Sequence, residues 1–199
     1  MTFGTRTLAQ VFPESAHAQQ LRRLMWPGSA EHRGPTDLDE TIARLAVRAA
    51  LAPHVADRNV PVTFVKCVDL HWPRGLPKSG HVGSRPEIMS TYAQADAMQD
   101  IARQCLPREA APPSGGLHVI AFRCNAGEHR SVCAAELLSG YLTRKNEAHT
   151  VFHLCRPLWG RRSCGGCREC DPRAHSHQRE GAHTRFAWLT GAVSASPSS

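Results

Sequence analysis

The chain has 199 residues, 41% of them hydrophobic, and its 24 basic against 17 acidic side chains leave a formal net charge of +7. That length supports one domain with a proper core and a small appendage, and the basic balance favours phosphate-bearing partners, whether small molecules or nucleic acid. No apolar run approaches membrane-spanning length and residues Met1 to Gln20 lack a signal-peptide layout, so no membrane partner is expected and the cytoplasm is the expected compartment. There, cysteines read as metal ligands, reactive thiols or core residues rather than disulfides.

In chain order, residues 1–35 are interrupted by Pro13, Pro27, Gly28, Gly34 and Pro35 and read as a loosely packed arm. Thr36 with Asp37, Asp39 and Glu40 makes an N-cap and an acidic first turn. Leu38, Ile42, Leu45, Ala49 and Ala52 then recur at helical spacing up to Pro53. Pro61 to Leu70 is β-rich and reads as a buried strand. The following loop, His71 to Arg85, is broken by prolines and glycines and carries Arg74, Lys78 and His81, with Asp69 just before it. Loops at the C-terminal ends of strands in open α/β sheets are where ligands usually bind. Pro86 opens a helix whose apolar stripe is Ile88, Tyr92, Ala95, Met98, Ala102 and Cys105.

After the breaker run Pro112 to Gly116 come a strand, Leu117 to Phe122, and a helix with Val132, Ala135, Leu138 and Leu142 on one face; Thr150 to Leu154 reads as a further strand. The alternation of strands and helices predicts an α/β fold, a small, mainly parallel sheet flanked by helices, over residues 36–154. A cysteine-rich, zinc-like appendage over 155–185 and a tail over 186–199 complete the expected organisation.

Between the strand and the helix lies Cys124-Asn125-Ala126-Gly127-Glu128-His129-Arg130-Ser131. A polar loop feeding a helix N-terminus presents unpaired backbone N–H groups and the positive end of the helix dipole, which together attract an anion. Arg130 adds a two-pronged, charge-assisted grip on phosphate oxygens, and His129 a further donor. A cysteine beside a helix N-terminus and an arginine suits a thiolate nucleophile. The cysteine–loop–arginine layout is therefore also the signature of cysteine-dependent phosphatases.

The run Cys124 to Val132, with Ala135 and Glu136 behind it, resembles the C-terminal domain of the RapZ family of RNase adapter proteins, whose corresponding block ends in His-Arg-Ser-Val. Val68-Asp69-Leu70 followed by Gly75-Leu76-Pro77 is similar to a second block of that family, so the resemblance spans about Val62 to Leu154. It implies a phosphosugar-sensing, RNA-binding domain. Its ligand contacts would be Asp69, Cys124, Asn125, Gly127, His129 and Arg130, with Ser131 in the same loop. Ala126 and Asn125 depart from the family pattern, and no phosphate loop of the G-x-x-x-x-G-K-[ST] kind occurs.

Outside the resemblance, Cys164, Cys167 and Cys170 form two consecutive C-x-x-C steps, with Cys155 as the natural fourth ligand and a nearby histidine as its substitute. A structural Zn2+ fits a polar segment too poor in apolar residues to fold alone; an iron–sulfur cluster is the rival. Arg156, Arg161, Arg162 and Arg168, with Trp159 interleaved and Arg173, Arg179 and Arg185 further on, form a candidate surface for RNA.

Three functions are compatible with these motifs. One is a regulatory binding module that holds a phosphosugar or nucleotide in the Cys124–Arg130 loop and engages RNA. Another is a cysteine phosphatase with Cys124 as nucleophile, Arg130 as phosphate clamp, and Asp69 or Asp171 as general acid. The third is a zinc-stabilised nucleic-acid binder.

Overall fold

The computed structural model describes residues 2–4, 48, 60–67, 70–71, 80–105, 117–124, 127–156, 159, 164, 167–171 and 179–187. Among the described residues, three parallel strands form a sheet in the order β1-β3-β2: β1 is Thr2–Gly4, β2 Val62–Lys66 and β3 Val119–Cys124. Thr2 pairs with Phe122 on one side of β3, and Val65 pairs with the same residue on the other. The expected α/β class with a parallel sheet is present. Two expectations at its edges differ. Residues 2–4, assigned to a loose arm, form a strand against β3; the rest of that arm lies outside the described residues. Thr150 to Leu154 is not a strand but one parallel bridge, His153 to Thr2, closed by Thr2 N–H to Phe152 O (2.8 Å) and Leu154 N–H to Thr2 O (3.1 Å). The helix expected over 36–52 lies outside the described residues except for Arg48, which is helical.

The helix expected from Pro86 to Cys105 is two: α1, Pro86–Tyr92, and α2, Asp96–Cys105. The break has a local cause. The Gln94 side chain donates to the Ser90 carbonyl (2.9 Å), the acceptor its own backbone N–H would need to continue the helix. That N–H turns instead to Thr91 O (3.3 Å), and Ala95 N–H to Tyr92 O (3.0 Å), tightening the chain into a turn. Asp96 then sits in the first turn of α2, where a carboxylate complements the helix dipole. Of the expected apolar stripe, Ile88, Tyr92, Met98, Ala102 and Cys105 are buried and Ala95, at the break, is half-buried.

Helix α3, Arg130–Arg144, is buried on every side from Ser131 to Leu138. Such all-round burial needs cover on two faces. Cys133, Ala134 and Leu137 join the main core with Val65, Phe122, Met89 and Tyr92. Val132 faces a second cluster with Val82, Cys155, Trp159 and Cys170, so the C-terminal segment roofs the helix. Each fully buried large side chain in these clusters contributes about 1.5–3 kcal/mol of transfer free energy. The helix ends where Asn146 takes a left-handed φ of 58° and Glu147 N–H returns to Leu142 O (2.9 Å). Residues 179–187 are helical (α4) and place Ala182 and Phe186 in the main core, with Phe186 edge-on to Tyr141 at 6.3 Å. The boundary expected between 185 and 186 therefore falls inside a packed helix.

Candidate metal centre and anion loop

The loop that opens at Cys124 leaves the C-terminal end of β3, and the ends of its neighbours converge there. Register places Gly4 beside Cys124 and Lys66 beside Arg123; one step on, Cys67 donates its N–H to Arg123 O (2.8 Å). Cys124 is buried, and its sulfur is held from within the loop by Gly127 N–H (3.2 Å) and Ser131 Oγ (3.2 Å). Gly127 has a φ of 75°, a left-handed conformation that a side chain would strain, and this turns its N–H back onto the sulfur. Cys67 next door is fully buried, and desolvation pushes its thiol well above the usual range.

His129 is the N-cap residue of α3, and its carbonyl receives Cys133 N–H (2.8 Å). Burial holds its imidazole below the ordinary histidine pKa, opposed by a hydrogen bond to the His81 backbone carbonyl. The neutral ring is thereby favoured. Arg130 reaches from the first turn of α3 to the Leu70 carbonyl (3.3 Å), tying the anion loop to the loop after β2. Asp69 and Asn125, both expected ligand contacts, lie outside the described residues, as do Arg161 and Arg162 of the basic segment. Arg156 and Arg168 are exposed.

The cysteine segment folds back onto this end of the molecule. The ligand atoms of His81, Cys164, Cys167 and Cys170 all lie within 4.8 Å of one another, a group that could hold a metal ion. His81 Nδ1 stands 3.6 Å from Cys167 Sγ and 3.5 Å from Cys170 Sγ. Cys167 N–H points at Cys164 Sγ (3.4 Å), and Cys170 and Asp171 N–H both close on Cys167 O (2.9 and 3.0 Å), the tight turn expected of a C-x-x-C step. Cys155 is not in the group. It is fully buried in the cluster with Trp159 and Val132 and serves as core beneath the centre. The fourth member of the group is a histidine, but from the loop after β2, 86 residues before Cys167. None of the eight cysteines is in a disulfide.

What brings His81 there is a backbone approach. Gly83 N–H donates to Glu128 O (2.8 Å), and a Cβ at Gly83 would lie 1.9 Å from His129 O and 2.7 Å from Cys133 N, so only glycine lets this segment lie on the α3 N-terminus. Ser84 Oγ donates to Cys170 O. Arg179, counted on sequence among the basic surface residues, is buried; its Nε donates to Ser84 O (2.7 Å) and an Nη to Glu169 O (2.9 Å). Of the signals missed on sequence, His81 had one available: a histidine between Gly80 and Gly83 in a polar loop, while three spaced cysteines lacked a fourth partner.

No helix among the described residues is long and apolar enough to cross a membrane. Comparison with family models, with characterised proteins and with solved structures finds no match for the chain.

Proposed function

We propose that the chain is a zinc-braced phosphate-binding module of the RapZ C-terminal type, holding a phosphorylated small molecule, a phosphosugar or nucleotide, in the loop from Cys124 to Ser131. The observation that carries this reading is the company Arg130 keeps: a guanidinium in the first turn of α3, beside a left-handed Gly127, at the edge where all three parallel strands end. That is the position and the chemistry a dianionic phosphate needs. Binding is favoured over catalysis because Cys124 is buried and because Asp171, a candidate general acid, is an exposed residue of the cysteine turn. Zn2+ is the metal of choice. Zinc–sulfur and zinc–nitrogen bonds of about 2.3 and 2.05 Å at a tetrahedral angle put S and N about 3.5 Å apart, which matches the 3.6 and 3.5 Å separations of Cys167 and Cys170 from His81. RNA contact would run through Arg156, Arg161, Arg162 and Arg168, without Arg179.

The test is thermal stabilisation of the zinc-loaded protein by a panel of hexosamine phosphates and nucleotides. A ligand at 100 times its Kd adds about 2.7 kcal/mol, an upward shift of roughly 5–10 °C for a chain of this size. Arg130→Ala removes the shift; a wild-type protein that no phosphorylated compound stabilises refutes the reading.

A cysteine phosphatase is the second reading, favoured by the two contacts on the Cys124 sulfur, a setting in which thiolate nucleophiles work. Turnover of an aryl phosphate by wild type, abolished in Cys124→Ser, would establish it, and its absence leaves the binding role.

A further inference from the structure

We infer that the metal centre and the anion loop are thermodynamically coupled through His81, so that metal binding tightens phosphate binding and phosphate tightens metal binding. The inference rests on the phosphate-binding reading above and adds a regulator to it: the available zinc concentration.

The argument is one of shared backbone. His81 offers Nδ1 to the metal group while its own carbonyl accepts the ring of His129, the residue that opens α3. Two residues on, Gly83 N–H pins the Glu128 carbonyl, so the His129 ring and the peptide between Glu128 and His129 are both held by the 81–83 segment. On its other flank this segment is clamped to the cysteine turn by Ser84 on Cys170 O and by Arg179, which bridges Ser84 O and Glu169 O. Four thiol and imidazole groups drawn onto one ion fix His81 against the cysteine turn. The same act fixes the carbonyls of His81 and Glu128, and with them the start of α3 that carries Arg130.

An ordered loop has less conformational freedom to lose on binding phosphate, which is the physical content of the coupling. The contact through Gly83 admits no slack, because even a methyl group there would overlap His129 O. No other route is needed, since the two sites share a segment rather than communicate across the core.

Linkage makes the effect reciprocal, with typical couplings of about 5- to 150-fold. The zinc affinity of the full chain is measured by competition with a chromogenic chelator, with and without saturating inorganic phosphate, while calorimetry on the zinc-loaded protein reports phosphate binding itself. The expected result is zinc binding at least about 5-fold tighter with phosphate in wild type. In Arg130→Ala the zinc affinity should equal that of phosphate-free wild type and ignore phosphate, which also controls for any direct zinc–phosphate association. Gly83→Ala, which forces the segment carrying His81 off the α3 N-terminus, should weaken zinc binding and lose the phosphate effect. Phosphate that binds through Arg130 while zinc affinity stays the same overturns the coupling alone. Phosphate that does not bind zinc-loaded wild type overturns the phosphate-binding reading and the coupling with it. The wild-type and Arg130→Ala arms decide the matter even if Gly83→Ala fails to fold.

Discussion

Replacing Arg179 by methionine should be among the most damaging single substitutions in the chain, although it removes one of 24 basic residues from a strongly basic protein. The side chain is 2% exposed, and its guanidinium holds the carbonyls of Ser84 and Glu169, so it joins α4 to the start of α1 and to the cysteine turn. Burial lowers its pKa from the free value, which marks the desolvation the site has to offset. Two charge-assisted hydrogen bonds contribute about 1.5–3 kcal/mol each, and the desolvation of the cation cancels part of that. Methionine recovers the packing volume but leaves the buried Ser84 carbonyl without its donor, at about 1–3 kcal/mol, whereas the carbonyl of exposed Glu169 can turn to water. A net loss of about 3 kcal/mol follows, within a range of about 2–5. In urea unfolding with saturating zinc, an m-value of about 2 kcal/mol/M converts this to a midpoint lowered by about 1.5 M. Arg179→Lys keeps the charge but not the fork that spans two carbonyls, and should fall between. A methionine variant whose midpoint lies within about 0.25 M of wild type would refute the reasoning, because Arg179 would then be an ordinary basic side chain.

The metal ligands can be separated by stoichiometry: Cys155→Ser should still bind one zinc, whereas Cys170→Ser and His81→Ala should lose it or bind it at least about 10-fold more weakly, as read by metal analysis after dialysis. Equal losses in all three would restore Cys155 as a ligand. Phe186→Ala, emptying a fully packed position against Tyr141, should cost about 3–5 kcal/mol by equilibrium unfolding; a cost under about 1 kcal/mol would mean that α4 is not part of the core. His183 gives a pH test. Burial lowers its pKa, its ring packs against Gly140 of α3, and the unfolded chain therefore takes up a proton that the folded chain resists. The stability this contributes is present above the ordinary histidine value near 6.5 and is lost as pH falls from there toward the depressed folded pKa. His183→Gln should flatten the decline between about pH 7 and 5.5; an unchanged slope in denaturant midpoints over that interval would show that His183 does not carry it.

Much of this molecule was legible in one dimension because the signals are local. The stripe Ile88–Cys105 reports helices whose buried side is fixed by the 3.6-residue period, even where Gln94 breaks them, and the run Val132–Leu142 reports a helix, though not its burial on every side. The strand, loop and helix around Cys124 follow from composition, and the spacing of Cys164, Cys167 and Cys170 follows from what a tight turn allows. Tertiary structure alone decided the rest. Thr2–Gly4 has too few residues to announce a strand and owes its place to β3 and His153. Arg179 and Arg168 are indistinguishable as letters, yet one is buried on two carbonyls and the other exposed, because burial depends on which elements meet there. His81 became a metal-group member, and Cys155 a core residue, by the same cause. Ligand sets are closed by proximity in space, and no spacing rule reaches across 86 residues to the one histidine that Gly83 lets approach the helix.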